Sequence, residues 1–381
     1  MNRRRIVQIP GLAVAMVLFA GSFIFSYMLS TYTIVDERVY AKQTFEAYSV
    51  GKIPKIYPLL SILSVPFLAI FGVTKASFML TPFLAGVSSI FLTYRFSVEI
   101  FRNERKAILA AWLMACNPLL IWLSARHMTE TVFTCILILT MLLASKSSSS
   151  ISLPLSTGLS SLLAYLSRYP GILLFPYISG LYIIQRKPLK VLLAFFLSII
   201  LLMAYWNANT LIFGEALTTE SYSFSFLQVS WGSFIPEQNP KLLWNLLTKS
   251  TVAFAMFVGY SLPFFWQTRI RELPKRGKIV IPFILFYGLF NVGYYLVQSL
   301  GSGLATSADH LARWLMPITP LVLIFAGLPA NRRWINLLSI FFCTVAGISL
   351  GLYISYYSSH FSMTPIVWDE FIRSLNTSVR K

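Results

Sequence analysis

Long apolar segments recur along almost the whole of this chain, and they constrain its fold more than any other feature. Most are about 15–24 residues long, enough for a helix to cross most of a hydrocarbon core about 30 Å thick. Lipid offers the backbone no hydrogen-bond partners, so a crossing segment must pair its own N–H and C=O groups. We therefore predict an all-α polytopic membrane protein, a bundle of about eleven transmembrane helices. The predicted helices are Pro10–Thr31, Ser77–Phe96, Ala107–Ser124, Thr129–Ser145, Ile151–Leu166, Gly171–Ile184, Val191–Thr210, Trp244–Trp266, Ile279–Leu300, Trp314–Leu328 and Trp334–Tyr357.

The composition supports a membrane location and does not indicate a nucleic-acid partner. Hydrophobic residues make up 56% of the 381 residues and charged residues 12%, whereas an average soluble domain has about 25% charged residues. The net charge is +18, but the basic residues stand at the ends of the predicted helices, where they report topology. Three cysteines lie inside apolar segments without disulfide or metal spacing, which is typical of buried small side chains. They are Cys116, Cys135 and Cys343.

The distribution of Lys and Arg predicts the orientation of the bundle. The first apolar segment follows Arg3, Arg4 and Arg5 and lacks a cleavage signal, so we interpret it as a retained helix with a cytoplasmic N-terminus. The strongly basic stretch Arg269–Lys278 then falls in the cytoplasm, together with the other short basic loops. The first loop accordingly lies outside.

The first outer loop spans about residues 32–76 and contains a segment that could be misassigned as a transmembrane helix. Tyr57–Gly72 is apolar, but it is short and contains two prolines. We expect an interfacial helix on the outer face, because a crossing here would invert the charge bias of everything downstream. Residues 1–357 are thus expected to form a single transmembrane domain, followed by a short extracytoplasmic tail over 358–381.

This orientation collects polar residues at the outer ends of the helices. All three histidines and all acids except Glu99, Glu104 and Glu272 fall on that side. The adjacent acids Asp36 and Glu37 begin the first outer loop. They suit a general base or a carboxylate that orients an acceptor or a metal ion, although Asp36 could equally cap a helix. We predict a polar site on the extracytoplasmic face.

Three further motifs provide cations and acids for such a site. Arg126-His127-Met128-Thr129-Glu130 joins the third and fourth predicted helices, where Arg126 and Glu130 could also merely pair. Arg168-Tyr169-Pro170-Gly171 is either a tight turn or a phosphate-binding cation at the membrane surface. Asp309-His310-Leu311-Ala312-Arg313 opens the tenth helix and puts His310 and Arg313 on one face. The three histidines have no ligand spacing for zinc.

In order and loop placement these motifs resemble the GT-C-fold membrane glycosyltransferases. The group they resemble most comprises the protein O-mannosyltransferases and the lipid A aminoarabinose transferases. The resemblance rests on Asp36-Glu37 followed by Tyr40, on the proline-bearing segment, and on the three motifs above, the last of which continues to Pro320. The region Lys52–Pro58 departs from the acidic-Lys-Pro-Pro stretch that many relatives carry, and it offers Lys55 without the acid.

The resemblance implies an inverting transfer. A sugar on a polyprenyl monophosphate, dolichyl or undecaprenyl, would be the donor, and a hydroxyl of a lipid, glycan or protein the acceptor. Asp36 would be the general base and Glu37 the second catalytic acid. The implied contacts to the donor phosphate are Arg38, Arg126, Arg168 and Arg313. The implied substrate-orienting residues are Tyr40, Lys55, His127, Glu130 and His310.

Two other functional classes remain open at this stage. A transporter or flippase for a lipid-linked sugar would need charges deep in the bilayer and broken helices in paired repeats, whereas here the polar residues gather at one face. A membrane scaffold without catalytic activity is the third interpretation. No cofactor is indicated, with a divalent cation such as Mg²⁺ or Mn²⁺ left open. We expect membrane lipids as partners and the plasma membrane rather than the endoplasmic reticulum as the location.

Overall fold

The computed structural model is helical apart from one short two-stranded ladder, within the residues that it describes. These are residues 9–52, 54, 57–146, 152–184, 251–254, 256–265, 274–301, 308–327, 333–360 and 366–378, with isolated positions between 189 and 248. The predicted helix Val191–Thr210 and most of Trp244–Trp266 lie outside this part of the chain. The all-α prediction is confirmed for the rest.

The N-terminal elements build the first helix, the first loop and the second long helix. They are α1 (Ile9–Leu29), β1 (Tyr32–Thr33), α2 (Val35–Val50), α3 (Pro58–Phe71) and α4 (Lys75–Phe101). Helix α2 ends at Gly51 in the left-handed conformation, with φ of 69°, which costs glycine little. Helix α4 begins where the Thr74 side chain accepts a hydrogen bond from the Ser77 N–H, at 3.2 Å.

The central elements contain a sharp bend and a short turn. They are α5 (Glu104–Ala115), α6 (Pro118–Ser124), α7 (Thr129–Ser145), α8 (Ser152–Ser167), a 3₁₀ turn (Tyr169–Leu173) and α9 (Leu174–Ile184). Helices α5 and α6 meet at 54°. Pro118 begins α6, and Asn117 caps it by accepting from the Leu120 N–H at 2.8 Å. The predicted single helix Ala107–Ser124 is therefore broken in two.

The C-terminal elements include two long helices and a segment that returns to the first loop. They are a 3₁₀ turn (Gly259–Phe264), α10 (Lys275–Gly301), α11 (Ala308–Leu315), a 3₁₀ turn (Met316–Ile318), α12 (Thr319–Leu323), α13 (Arg333–His360), β2 (Ile366–Val367) and α14 (Trp368–Ser378). The predicted helix Trp314–Leu328 is interrupted, because Pro317 and Pro320 cannot donate backbone hydrogen bonds.

Three of the described helices are long and apolar enough to cross a membrane, namely Pro10–Leu29, Lys75–Phe101 and Trp334–Ser358. The bent pair α5 and α6 adds a fourth if it counts as one crossing. The remaining predicted crossings that the structure describes are shorter apolar helices, such as Thr129–Ser145. Pro58–Phe71 is also one of these short helices, and its interfacial placement stays a prediction.

Two hydrophobic cores hold the described helices together. The larger core is built around α5, α6 and α7, with completely buried side chains such as Trp122, Phe133 and Met114. The smaller core joins the first loop to the C-terminal segment. It consists of Ala41, Phe45, Leu68, Phe78, Met79, Trp368, Phe371 and Leu375. Residues 366–378, in the predicted tail, thus bury apolar side chains against α2, α3 and α4.

Candidate active site

Of the adjacent acids Asp36 and Glu37, Glu37 is completely buried and bonds to other protein groups. It lies in the first turn of α2, where its Oε2 accepts the Ile34 N–H at 3.2 Å and so caps the helix. The same oxygen lies 3.0 Å from Nη1 of Arg126, and its Oε1 accepts the His127 N–H at 3.0 Å. Glu37 therefore ties the start of α2 to the turn before α7.

Arg126 is also completely buried and is held from three directions. Besides Glu37, it donates from Nη1 to the Tyr32 carbonyl at 2.6 Å and from Nη2 to the Ser358 Oγ at 3.2 Å. Removing one partner of such a buried pair costs about 3–5 kcal/mol, because the other charge is left uncompensated. The Glu37–Arg126 pair joins β1, α2 and α13 at one point.

His127 takes part in the same buried turn. Its Nδ1 lies 2.8 Å from the Phe78 carbonyl, and its Nε2 lies 2.8 Å from the Thr44 Oγ1. Since a carbonyl can only accept, Nδ1 carries a proton and donates it to Phe78. Burial lowers the pKa of His127 to about 4, against the opposing effect of the Phe78 carbonyl.

These positions do not fit the roles predicted for Glu37, Arg126 and His127. All three side chains are completely buried and bonded to α2, β1, α13 or α4. With 0% exposure, none of the three presents an atom that a substrate phosphate or hydroxyl could contact. We therefore interpret them as the scaffold of the site. The sequence alone did not distinguish a buried ion pair from one that faces a substrate.

A second set of charges forms a chain of ion pairs with one exposed end. Asp36 Oδ2 lies 2.9 Å from Nη2 of Arg313, whose Nε lies 2.7 Å from Glu130 Oε1. Nη1 of Arg168 lies 2.7 Å from the same Glu130 oxygen. We call Asp36, Arg313, Glu130 and Arg168 the ion chain. The Asp36 side chain is 40% exposed, whereas those of Glu130 and Arg313 are buried and that of Arg168 is 9% exposed.

Four separate elements place the ion chain. Asp36 lies in the first turn of α2, Glu130 in the first turn of α7, and Arg313 in the last turn of α11. Arg168 lies directly after α8, with backbone φ and ψ of −161° and 143°. The Asp36 and Glu130 positions are favourable for acids, and that of Arg313 for a base, because of the helix dipole. The ion chain is neutral in total, because it consists of two acids and two arginines.

Arg168 is charged and incompletely bonded. Burial disfavours its charge, but the Glu130 carboxylate outweighs that effect and raises the pKa of Arg168. Nη1 lies close to Glu130, yet within the described part of the chain it has no acceptor in hydrogen-bond geometry. Glu130 therefore holds the Arg168 guanidinium by charge, at 2.7 Å, without an aligned hydrogen bond from Nη1.

The turn after Arg168 requires glycine. The Gly171 N–H donates to the Arg168 carbonyl at 2.9 Å, which closes the turn. A Cβ at Gly171 would lie 2.5 Å from the Ala164 carbonyl carbon and from the Tyr165 nitrogen. These are backbone atoms of α8, so the two segments can approach this closely only without a side chain. The Arg168-Tyr169-Pro170-Gly171 motif is thus a tight turn that carries the cation.

Two tyrosines border the ion chain. The rings of Tyr40 and Tyr57 have centroids 6.1 Å apart. Burial raises the pKa of Tyr40, and the nearby Glu130 carboxylate raises it further. Tyr57 has φ of 47° and ψ of 59°, a left-handed conformation that is unfavourable by about 1–3 kcal/mol for a bulky residue and recurs at functional sites. The sequence predicts Tyr57 at the start of a helix and does not indicate that it borders the site.

Of the remaining predicted site residues, Arg38 is described, whereas Lys55 and the side chain of His310 are not. Arg38 is half-buried on α2. Lys55 and the side chain of His310 are not described, so their implied roles stay predictions. His310 and Asp309 do lie in α11, the helix that carries Arg313.

The two carboxylates of the ion chain are paired with arginine. Asp36 lies against Arg313, and Glu130 lies against both Arg313 and Arg168. Among the described residues, no three His, Cys, Asp or Glu side chains come together. The divalent cation that the sequence analysis left open stays a prediction.

Comparison with known proteins supports the resemblance that the motifs suggested. Residues 57–206 match the sequence model of the family described as dolichyl-phosphate-mannose-protein mannosyltransferase. This stretch includes Arg126, Glu130 and Arg168, whereas Asp36 and Arg313 lie on either side of it. No protein of curated function matches the chain.

Solved structures with similar backbones are distant in sequence. ArnT from Cupriavidus metallidurans bound to undecaprenyl phosphate is 13% identical with a TM-score of 0.46, over 89% of this chain and 77% of that chain. Its apo form is 12% identical with a TM-score of 0.44, over 91% and 78%. The apo oligosaccharyltransferase from Archaeoglobus fulgidus is 15% identical with a TM-score of 0.42, and this chain spans 54% of its length.

Proposed function

We propose that this chain is an inverting glycosyltransferase that uses a sugar carried on a polyprenyl monophosphate. The observation that carries the proposal is the ion chain, which joins one exposed carboxylate to two buried arginines on four elements. Transfer from such a donor needs a base for the acceptor and cations for the leaving phosphate. The family match over 57–206 supports the same reaction class.

Asp36 is the residue we assign as the general base. It is the exposed acid of the ion chain, and Arg313 fixes its orientation through Oδ2 at 2.9 Å. The acceptor oxygen attacks the anomeric carbon while its proton passes to Asp36. A base placed in this way contributes about 10²–10⁴-fold to the rate.

Arg168 and Arg313 are the cations we assign to the donor phosphate. The bond from the anomeric carbon to the phosphate oxygen breaks as the new bond forms, so the phosphate gains negative charge. Both guanidiniums are held at one Glu130 oxygen before any substrate binds. Fixed cations in a buried site stabilise such charge without reorganising. Arginine also suits the paired oxygens of a phosphate.

Glu130 is then a residue that positions the two arginines. Its buried carboxylate offsets their mutual repulsion and keeps both guanidiniums in place. Tyr40 and Tyr57 border this part of the site, where they are suited to contact the sugar or its phosphate. The identity of the sugar and of the acceptor hydroxyl, whether lipid, glycan or protein, is for the assay to determine.

The test is sugar transfer by the purified full chain from a radiolabelled polyprenyl-phosphate hexose. We expect Asp36→Asn to lower turnover by 10²-fold or more while binding of the polyprenyl phosphate changes little. The matched control is Glu46→Gln, which removes an acid of the same helix that pairs with the exposed Lys42 at 3.9 Å. The control should be as active as the wild type.

The outcomes separate the competing functions. Equal turnover in the wild type and Asp36→Asn would remove Asp36 from the role of base. A wild-type protein that turns over none of several donors, yet moves a lipid-linked sugar between leaflets of a vesicle, would support a transporter or flippase instead.

A further inference from the structure

The C-terminal segment is directly bonded to the strand that precedes Asp36. In the ladder of β1 and β2, Tyr32 pairs with Val367 and Thr33 pairs with Ile366. The Thr33 Oγ1 also donates to the Ile366 carbonyl at 3.1 Å, and the Trp368 N–H donates to the Thr31 carbonyl at 3.2 Å. Val35 begins α2 just two residues after this ladder.

Helix α14 also packs against the body of α2. It is amphipathic: Trp368, Phe371 and Leu375 are buried at spacings of three and four residues, and Asp369, Glu370 and Arg373 are exposed. The buried face completes the smaller core with Ala41 and Phe45 of α2 and with Phe78 of α4. The ring of Trp368 lies 5.8 Å from that of Phe78.

The same segment is linked to the scaffold of the site. The carbonyl of Tyr32, whose residue pairs with Val367, accepts the short bond from Arg126. Arg126 in turn holds Glu37, the residue next to Asp36. Contacts thus run from β2 through β1 and Arg126 to the first turn of α2. Losing β2 would remove the partner strand that fixes this carbonyl.

From these contacts we infer that residues 366–378 form a permanent clamp that holds α2, and with it Asp36, in register with Arg313. Trp368 is the positioning residue of the clamp. The inference rests on the proposed function for its effect on transfer, but its effect on α2 can be measured without any substrate. The clamp contacts neither Arg168 nor Glu130 in the bonds described, so donor binding should not depend on it.

The first experiment compares Trp368→Ala with Trp368→Phe in the purified full chain. Hydrogen exchange should become at least tenfold faster in α2 of Trp368→Ala and stay unchanged in α7. Trp368→Phe should behave as the wild type, because it keeps a ring in the core and removes an indole N–H that has no partner among the described residues. Arg373→Ala, on the exposed face of α14, is the surface control.

Turnover supplies the second readout. Trp368→Ala should lower kcat at least tenfold with the donor KM changed less than twofold, since Asp36 moves and the phosphate cations do not. Unchanged exchange in α2, or equally faster exchange in α2 and α7, would overturn the clamp. A wild type without transfer would refute the proposed function only, because the exchange result stands independently.

A second experiment distinguishes a permanent clamp from a moving lid by comparing the oxidised and reduced forms of one variant. Cysteines replace Tyr32 and Val367 in a chain whose three native cysteines have been changed to alanine. A disulfide between the strands should leave at least half of the turnover. Loss of turnover on oxidation, restored by reduction, would overturn the inference because it would show that the strands must separate.

Discussion

At the scale of single residues, Asp36 and Glu37 are adjacent in sequence but have different surroundings. Successive residues of a helix point about 100° apart, since a turn takes about 3.6 residues. Glu37 therefore points inward to Arg126, and Asp36 reaches Arg313 at the opening of the site. The two acids are therefore not interchangeable: Glu37 holds the helix in place, and Asp36 is the one that we propose as the general base.

His127 makes the stability of this turn depend on pH. Its pKa in the folded protein is about 4, below the ordinary value of 6.5, so the folded state binds fewer protons between these two values. Stability from this residue is complete above pH 6.5 and is lost as the pH falls toward 4. The full effect is about 3 kcal/mol, from about 1.4 kcal/mol per pKa unit.

Thermal melting of the purified protein between pH 4 and 7 checks this expectation. His127→Gln should flatten the profile in the window from 6.5 to 4 while the wild type loses stability there. Thr44→Val, which removes only the hydroxyl at Nε2, should keep the wild-type pH profile. Identical pH profiles for wild type and His127→Gln would show that the buried imidazole is not the titrating group.

At the scale of elements, the short turn between α8 and α9 sets the position of Arg168. Its backbone contact with α8 leaves no space for a side chain at Gly171. Elements that are joined so tightly transmit a shift at the turn to the guanidinium that the turn carries. The position of Arg168 therefore depends on α8, α9 and Gly171.

Gly171→Ala should displace this turn, with an overpacking cost of about 1–3 kcal/mol. We expect a lower melting temperature and a weakened affinity for polyprenyl phosphate, measured by ligand binding. The control is Gly180→Ala in α9, where an added Cβ meets nothing within 4 Å. That change should be neutral or stabilising by about 0.5–1 kcal/mol. If the two variants are equally stable and bind equally well, the close approach does not position Arg168.

At the scale of the whole molecule, apolar side chains cover the outward faces of the long helices. Helix α13 exposes Trp334, Phe341 and Phe342, and α1 exposes Val17 and Met28. Such a continuous apolar surface on helices of this length is typical of contact with lipid. The charges of the site are instead enclosed near helix ends, where ionisable groups are less unfavourable than at the bilayer centre.

The predicted orientation can be checked by labelling single cysteines with a maleimide that does not cross membranes. In a chain without its native cysteines, Lys42→Cys should react in intact cells, because Lys42 is 65% exposed on the outer loop. Lys278→Cys, exposed at the start of α10, should react only after the membrane is opened. The reverse pattern would place the Asp36 side of the protein in the cytoplasm.

The membrane class, the helical content and the choice of Asp36, Glu130, Arg168 and Arg313 as candidates could be predicted from the sequence. These depend on local properties: the length of apolar segments, and ionisable residues that are unfavourable in lipid unless they have a use. The breaks beside Pro118 and Pro320 were not predicted, because a proline can begin a helix as well as interrupt one.

Only the tertiary structure decided which charges meet. Asp36 and Arg313 are 277 positions apart, and Glu130 and Arg313 are 183 apart, so no local pattern could pair them. The same holds for the burial of Glu37 and Arg126 and for the return of residues 366–378 to the first loop. Local sequence determines where a helix forms and which face is apolar, whereas the packing of distant segments decides which acid is enclosed and which remains exposed.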